Sequence, residues 1–395
     1  MLLRLLSAAS AAALAAILPT SLARAGESKP EVVIGAVISS TGPAATLGIQ
    51  EDRALRMFEE TLAGRDDLPY TAKFVIYDDK SDPTDAVNSV RKLIDDDEAH
   101  VVICCTTTPA SMAVLETVNA AKVPNISMAS GESIARPAEE RHFTFRTVPG
   151  DRLMLQRVFA HMREQGFSKL AFAGLEDSYG QSGWEEFQSA AKETGMEIVG
   201  SERFSRTDTS FTPQALRLRQ ANPDAIYIHS IPPSANLMHQ ALGQVGFPGA
   251  VYHGSGVANK AFLGINPEAI EGGYAGVGTV IVHDQVPETH PLQKVISDFA
   301  RSYENRFGAG QADMFAVSGW DAGRVAVEGL RRASEKGSPE DLAAFRLNVR
   351  DAIESITDFK TASGVFNYSP SNHVGLDLSG LAVVRIENGK FVFVE

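Results

Sequence analysis

Short apolar runs alternate with amphipathic helical stretches along this chain, and the alternation runs once, breaks, and then begins again. "EVVIGAVIS" (31–39) has the length and β-branched content of a buried strand, and Leu55, Phe58 and Leu62 behind it share one helical face. "AKFVIYDD" (72–79) is the next strand, and "DPTDAVNSVRKLIDDD" opens a helix with Asp82 as N-cap and Pro83 in first position. "HVVICC" gives a third strand, Pro109 a third helix and "VPNISM" a fourth strand. After "FRTVPGD" the pattern restarts with "KLAFAGL" (169–175), a helix from Gly180 to Thr194, and "EIVGSERF". A helix from Pro213 to Ala221, "DAIYIHS", a helix from Ala235 to Val245 and "AVYHGSG" complete the second run. Strands joined by helices demand a parallel sheet covered on both faces, because each crossover must pack back on it. The expected fold class is therefore α/β, with two doubly wound, Rossmann-like lobes, and 395 residues suffice for both.

The first 25 residues follow another logic. Arg4, an apolar core from Leu5 to Leu18, the breaking Pro19, and Ala23 and Ala25 have the layout of a secretory signal peptide over 1–25, and the Ala-rich core is short for a membrane span. No cysteine follows the cleavage point to carry a lipid, so the processed chain is expected free in the periplasm without membrane insertion. The formal charge of -13 argues against a nucleic-acid partner, which needs a basic face. Cys104 and Cys105 are the only cysteines. Adjacent residues rarely meet disulfide spacing, so both are expected as small buried residues at a strand end.

The third strand runs into "CCTTTPASM" (104–112). In parallel sheets ligands sit beyond the carboxyl ends of the strands, where helix starts offer unpaired N–H groups and partial positive charge. The hydroxyls of Thr106, Thr107 and Thr108 would add neutral donors for a carboxylate, although a simple helix-capping role accounts for them equally well. His229 and His253 fall near strand ends of the second run, as donors to a ligand or as structural histidines. "IDDDEAH" (94–100) lacks calcium-loop spacing and "GYAGVGT" lacks the context of a dinucleotide fingerprint. Neither G-x-S-x-G nor H-E-x-x-H occurs, so neither an enzyme nor a cofactor is expected.

"STGPAATLG" (40–48), "YDDKSDP" (77–83), "LEDSYGQSG" (175–183) and "YHGSGVANKAFL" (252–263), in that order behind a signal peptide, resemble the periplasmic branched-chain amino-acid-binding family of ABC-importer receptors. The resemblance extends from Val32 to Val394. It implies two lobes joined by three crossings, near Thr147–Asp151, Ala275–Val280 and Phe359–Val365. The N-terminal lobe would comprise 26–147 and 281–358, and the C-terminal lobe 148–280 and 359–395. Helices between His290 and Ser355, with Phe299, Tyr303 and Phe307 on one face, would pack on the first lobe. "GLAVVRIENGKFVFVE" would close the chain as a hairpin.

The resemblance also implies a ligand whose carboxylate is held by Thr106–Thr108 and by Ala129, Ser130 and Gly131 of the "SMASG" loop. The family's ammonium seat, a glutamate with aromatic residues on the second lobe, is altered: Ser255 stands at the glutamate position, Ile231 opens an "IPPS" loop where tyrosines are usual, and Leu47 replaces an aromatic residue. Tyr179 matches a pocket tyrosine, and His253 is a candidate second-lobe contact. Ser81 stands where the family often has a cysteine, so that bridge is missing. Retaining the acid seat while losing the ammonium seat favours a small hydrophobic carboxylate without an α-amine, an aromatic acid or similar; Glu176 or Asp177 serving as the ammonium partner is the competing possibility. The implied partners are ABC permease and ATPase subunits in the inner membrane, with the protein a monomer. A branched-chain amino-acid receptor, or a sensor coupled to a transmembrane partner, remains compatible with the same residues.

Overall fold

The computed structural model describes residues 29–394, so the expected signal segment lies outside the described residues. The first run comprises β1 (Glu31–Ile38), α1 (Ala45–Leu62), β2 (Thr71–Asp78), α2 (Pro83–Asp95), β3 (Val101–Cys104), α3 (Thr108–Ala120), β4 (Asn125–Ser127) and β5 (Thr144–Arg146). Its sheet has the order β2-β1-β3-β4-β5 with every pair parallel. The second run comprises α4 (Asp151–Glu164), β6 (Lys169–Leu175), α5 (Ser178–Thr194), β7 (Glu197–Phe204), α6 (Thr212–Gln220), β8 (Ala225–His229), α7 (Ser234–Gln244) and β9 (Ala250–His253). Short α8 (Lys260–Gly264) and α9 (Pro267–Ile270) lead into β10 (Tyr274–Gly278). These strands lie in the order β7-β6-β8-β9-β10, again all parallel. Each sheet winds both ways from the first strand of its run, which makes the fold α/β and doubly wound in both lobes.

Local chemistry set several boundaries where the sequence placed them. Asp82 caps α2 by accepting from the N–H groups of Thr84 and Asp85, with Pro83 at the first position. Thr107 caps α3, which therefore starts one residue ahead of Pro109. Two elements in the stretch around "FRTVPGD", β5 and α4, carry no signal of their own in the sequence reading. The structure also moves two crossings. Ala275 and Val277, placed in a crossing by the sequence, are buried in β10, and the chain leaves the second sheet only after Gly278. Next come α10 (Gln293–Phe307), α11 (Met314–Ser334) and α12 (Leu342–Glu354). Phe299, Tyr303 and Phe307 pack with Ala54 and Met57 of α1, on the first lobe.

β11 (Phe359–Lys360) and β12 (Val365–Phe366) form a separate two-stranded sheet. Phe366 at the end of β12, and Tyr368 and Leu376 beyond it, bury in the same cluster as Phe145 and Val325. The Tyr368 hydroxyl donates to the carbonyl of Arg146 at 2.7 Å. These aromatic anchors keep the chain against the first sheet well past Phe359, the expected boundary. Only β13 (Leu381–Glu387) and β14 (Lys390–Phe393) join the second sheet, as an antiparallel hairpin turning at Asn388–Gly389 and paired to β10.

Cys104 and Cys105 are bonded to each other, which corrects the expectation of two separate thiols. The peptide between them is cis, and their Cα atoms are 3.0 Å apart. Both are buried with Val90, Leu93, Ala110 and Val114 under α2 and α3, away from the cleft wall.

The helix that follows the first strand of each run rests directly on the end of that strand. A Cβ at Gly48 would overlap the carbonyl of Ser39, and one at Gly180 the carbonyl of Leu175. Glycine thus allows α1 and α5 to sit down on the sheet, and the residue just before each, Leu47 or Tyr179, is carried over the strand ends. Gly180→Ala is expected to cost about 2 kcal/mol through overpacking against backbone, read as a lower urea midpoint at unchanged slope. An unchanged midpoint would mean that α5 lifts from the strand end freely.

Candidate functional site

The loops at the carboxyl ends of the two sheets enclose a cavity of about 490 Å³, mouth included. From the first lobe it is lined by Leu47, by Thr106–Thr108, by Met128, Ala129 and Ser130, and by Val148. These follow β1, β3, β4 and β5 in turn. Tyr179, Arg206, Ile231 and the pair Ser255–Gly256 face them from the second lobe, after β6, β7, β8 and β9. Met314 and Phe315 at the start of α11 complete the wall. Around it the lobes touch: Ala44, Leu47 and Met314 belong to one apolar cluster with Tyr179, Ile231 and Val257.

On the first lobe the threonines divide the work. The Thr106 hydroxyl accepts from Ser39 N–H at 3.0 Å and donates to the buried carboxyl of Glu51, so it is committed to the scaffold. Thr107 accepts from Ala110 N–H at 3.4 Å, which leaves its own O–H to donate. No described residue shares a hydrogen bond with the hydroxyl of Thr108 or Ser130. Ser111 knits the two loops together, accepting from Cys105 N–H at 3.1 Å and meeting the Ser127 hydroxyl at 2.9 Å. Beneath them Arg146, fully buried, donates to the carbonyls of Ser130 and Gly131, each at 2.8 Å, and pairs with Glu132 at 3.2 Å. Gly131 therefore stands behind the wall: its Cα packs on the Thr108 methyl, where a Cβ would collide. It does not line the cavity.

The second lobe contributes one cation. Arg206 Nε donates to Asp177 at 2.7 Å, while the other oxygen of Asp177 caps α5 by accepting from the N–H groups of Tyr179 and Gly180. Asp177 is thus occupied twice, and Glu176 is exposed to solvent. Tyr179 packs at a tilt on His229 with ring centroids 3.9 Å apart, and its buried hydroxyl lies beside the Gly256 backbone N–H with no acceptor among the described residues for its own proton. His253 turns away from the cavity. Its ring meets His239 at 3.0 Å and packs edge-on against Phe262, and burial holds its pKa well below the usual range, so it belongs to the second-lobe core.

Of the residues singled out from the sequence, Leu47, Thr106–Thr108, Ala129, Ser130, Tyr179, Ile231 and Ser255 reach the wall, whereas Gly131, His253, His229, Glu176 and Asp177 do not. Met128, Val148 and Gly256 adjoin loops already marked. Arg206 was missed because "SRTDTS" reads as an ordinary connector; its place just after a strand end was the available signal. Met314 and Phe315 arrive from α11, where only the capping Asp313 hints at a helix start.

No aspartate or glutamate lines the cavity. Those behind the first-lobe wall are held toward neutrality. Burial raises Glu51 to about 8, with Asp79 and Asp313 adding repulsion and the Thr106 hydroxyl opposing it. Burial likewise raises Asp313 to about 7 and pushes Asp79 upward.

Comparison with known proteins agrees with this architecture. An extracellular ligand-binding receptor from Rhodopseudomonas palustris HaA2 superposes with a TM-score of 0.86 at 29% identity, covering 92% of this chain and all of that one, 100%. The leucine-, isoleucine-, valine-, threonine- and alanine-binding protein of Pseudomonas aeruginosa is 24% identical over 316 residues, 78% of this chain and 80% of that protein. LivJ of Streptococcus pneumoniae, solved with isoleucine, shares the fold with a TM-score of 0.78 at 17% identity, over 92% of this chain and 99% of that one. The family profile described as periplasmic binding protein matches residues 31–390, nearly the whole described chain. Two doubly wound lobes closing on a hydroxyl-lined cavity, and a family match of that length, establish that this chain belongs to the periplasmic binding protein family.

Proposed function

We propose that the protein is the periplasmic receptor of an ABC importer and captures a small hydrophobic carboxylate without an α-amine, an aromatic acid or a similar one, between its lobes. The composition of the cavity wall carries this reading: it holds no carboxylate, and its one guanidinium is that of Arg206. An ammonium enclosed there would be a buried charge without a counter-ion, which costs several kcal/mol. A carboxylate would meet hydroxyl donors and the N-terminal end of α3, with Leu47, Ile231, Met314 and Phe315 around its apolar body. Asp177, the strongest candidate for an ammonium partner, is already taken by Arg206 and the α5 cap. Because the wall is built from both lobes, a ligand touching both stabilises the closed arrangement over an open one, the shape a permease recognises. Typical receptor affinity near micromolar corresponds to about 8 kcal/mol. Branched-chain amino acids are the second reading, favoured by the names of the Pseudomonas and Streptococcus relatives.

A thermal-shift panel separates the two. A ligand at a hundredfold its dissociation constant adds about 2.7 kcal/mol, so benzoate, 4-hydroxybenzoate, phenylacetate or a branched keto acid is expected to raise the melting temperature while leucine does not. A shift with leucine alone would overturn the reading. Thr108→Val keeps the methyl packed on Gly131 and removes only the open hydroxyl. Losing one hydrogen bond to a carboxylate costs about 1.5–3 kcal/mol, so the acid's affinity is expected to fall about tenfold or more with the apo melting point little changed; equal affinity counts against a carboxylate at this seat.

The buried carboxyl behind Thr106 gives a pH signature. Glu51 is protonated at pH 7 and ionises as pH rises through about 8, which places negative charge behind an anionic ligand. Binding of the acid is therefore expected to weaken from pH 7 to 9, coupled to proton uptake. Calorimetry should show that decline in the wild type and a flatter profile in Glu51→Gln. A wild-type profile already flat over that interval would rule out the coupling.

A further inference from the structure

The second-lobe end of the cavity offers donors whose acceptor is not supplied by the protein. Arg206 is fixed by its Nε, which donates to Asp177 at 2.7 Å, and its side chain retains 21% exposure at the cavity wall. No described residue accepts from its two Nη groups. The Tyr179 hydroxyl, on the helix end that Asp177 caps, is buried at the same wall beside the backbone N–H of Gly256, and no described residue accepts from its own O–H. Charge there is already balanced, because Asp177 neutralises Arg206. A second ligand carboxylate would bring in a buried negative charge with nothing left to offset it. A neutral oxygen would satisfy the open N–H and O–H groups at no such penalty.

We infer that Arg206 is a specificity-determining residue and that the ligand is a monocarboxylate with a neutral oxygen, as hydroxyl, ether or carbonyl, at the end remote from the acid. This rests on the amine-free acid reading above. The first lobe takes the carboxylate through Thr107, Thr108 and Ser130; Arg206 and Tyr179 hold the far oxygen, and the apolar side chains enclose what lies between. Guanidinium is suited to the role, since its planar fork stays charged and keeps two donor groups directed outward after Nε is used.

The test is titration calorimetry on matched sets at constant pH: benzoate, 4-hydroxybenzoate, 4-methoxybenzoate and terephthalate, with hexanoate, 6-hydroxyhexanoate and adipate as the aliphatic counterpart. The oxygenated monoacid of at least one set is expected to bind about tenfold or more tighter than its parent, the gain of one hydrogen bond to a charged group. The dicarboxylate of that set gains nothing over the parent. In Arg206→Met the ratio of oxygenated to parent affinity falls toward one, and Arg206→Lys restores part of it; Arg206→Gln takes the place of Met if that variant does not fold. Equal binding of parent and oxygenated acids, a ratio untouched by the substitution, or a dicarboxylate that binds tightest would each overturn the inference while leaving the amine-free acid reading intact. Binding of leucine with no acid of either set would overturn that reading, and this inference with it.

Discussion

Parallel strands impose a direction on everything else in this molecule. A strand followed by a parallel neighbour must return its chain along the outside of the sheet, so each departure happens at the same edge, the carboxyl edge. Leu47, Thr106–Thr108, Met128–Ser130 and Val148 come together for that reason, though β1 and β5 are far apart in sequence. The second lobe repeats the arrangement with Tyr179, Arg206, Ile231 and Ser255. The two glycine seats follow from it. A helix that begins immediately after its strand must descend onto the strand end, and Gly48 and Gly180 permit an approach that a Cβ would block. The residue before each glycine is then delivered to the cavity.

Electrostatics differ across the gap in a way composition would not suggest. The chain is strongly acidic, yet the cavity wall carries no acid, and the buried carboxyls of Glu51, Asp79 and Asp313 are shifted toward their neutral forms. A protonated Glu51 leaves the hydroxyl of Thr106 anchored without adding negative charge behind the wall. Opposite, Arg206 has its charge met by Asp177 but not its hydrogen-bonding capacity. The net effect is a wall rich in donors and close to neutral.

The sequence revealed the fold more completely than the site, for physical reasons visible in particular residues. Strand and helix identity is written in local periodicity, so β6 and β7 fall where read from the sequence, to the residue. Elements defined by tertiary pairing leave weaker traces. β10 is only "YAGVG", a run whose strand character comes from lying between β9 and β13. The path beyond Phe359 is set by Phe366 and Tyr368 docking against Phe145, a contact no local pattern announces. In the site, residues at strand ends were legible because topology puts them there. What each hydroxyl does was not: Thr106 binds its own scaffold, Thr107 caps a helix, and Thr108 stays open, a division that depends on Glu51 and Ala110 lying nearby. His253 looked like a cavity residue by position, but the His239 ring drew it into the core.

An enclosed site selects by what it leaves unsatisfied. When a ligand fills the space between the lobes, a polar group on either side must find its partner on the other or bear the cost of burial. The side chains at this wall supply donors: the hydroxyls of Thr107, Thr108, Ser130 and Ser255, the Tyr179 phenol and the guanidinium of Arg206. Hydroxyls also accept, but Thr107 already spends a lone pair on Ala110 N–H and Thr106 on Ser39 N–H. A molecule bearing oxygens at its ends has its lone pairs matched here. An ammonium group, with three N–H bonds and a full charge to place, finds neutral oxygen at best, and a guanidinium on the same wall that offers it only further donors. Discrimination on this account comes less from the shape of the apolar body, where one methylene is worth only about 1–3 kcal/mol, than from the sign and sense of the polar groups around it.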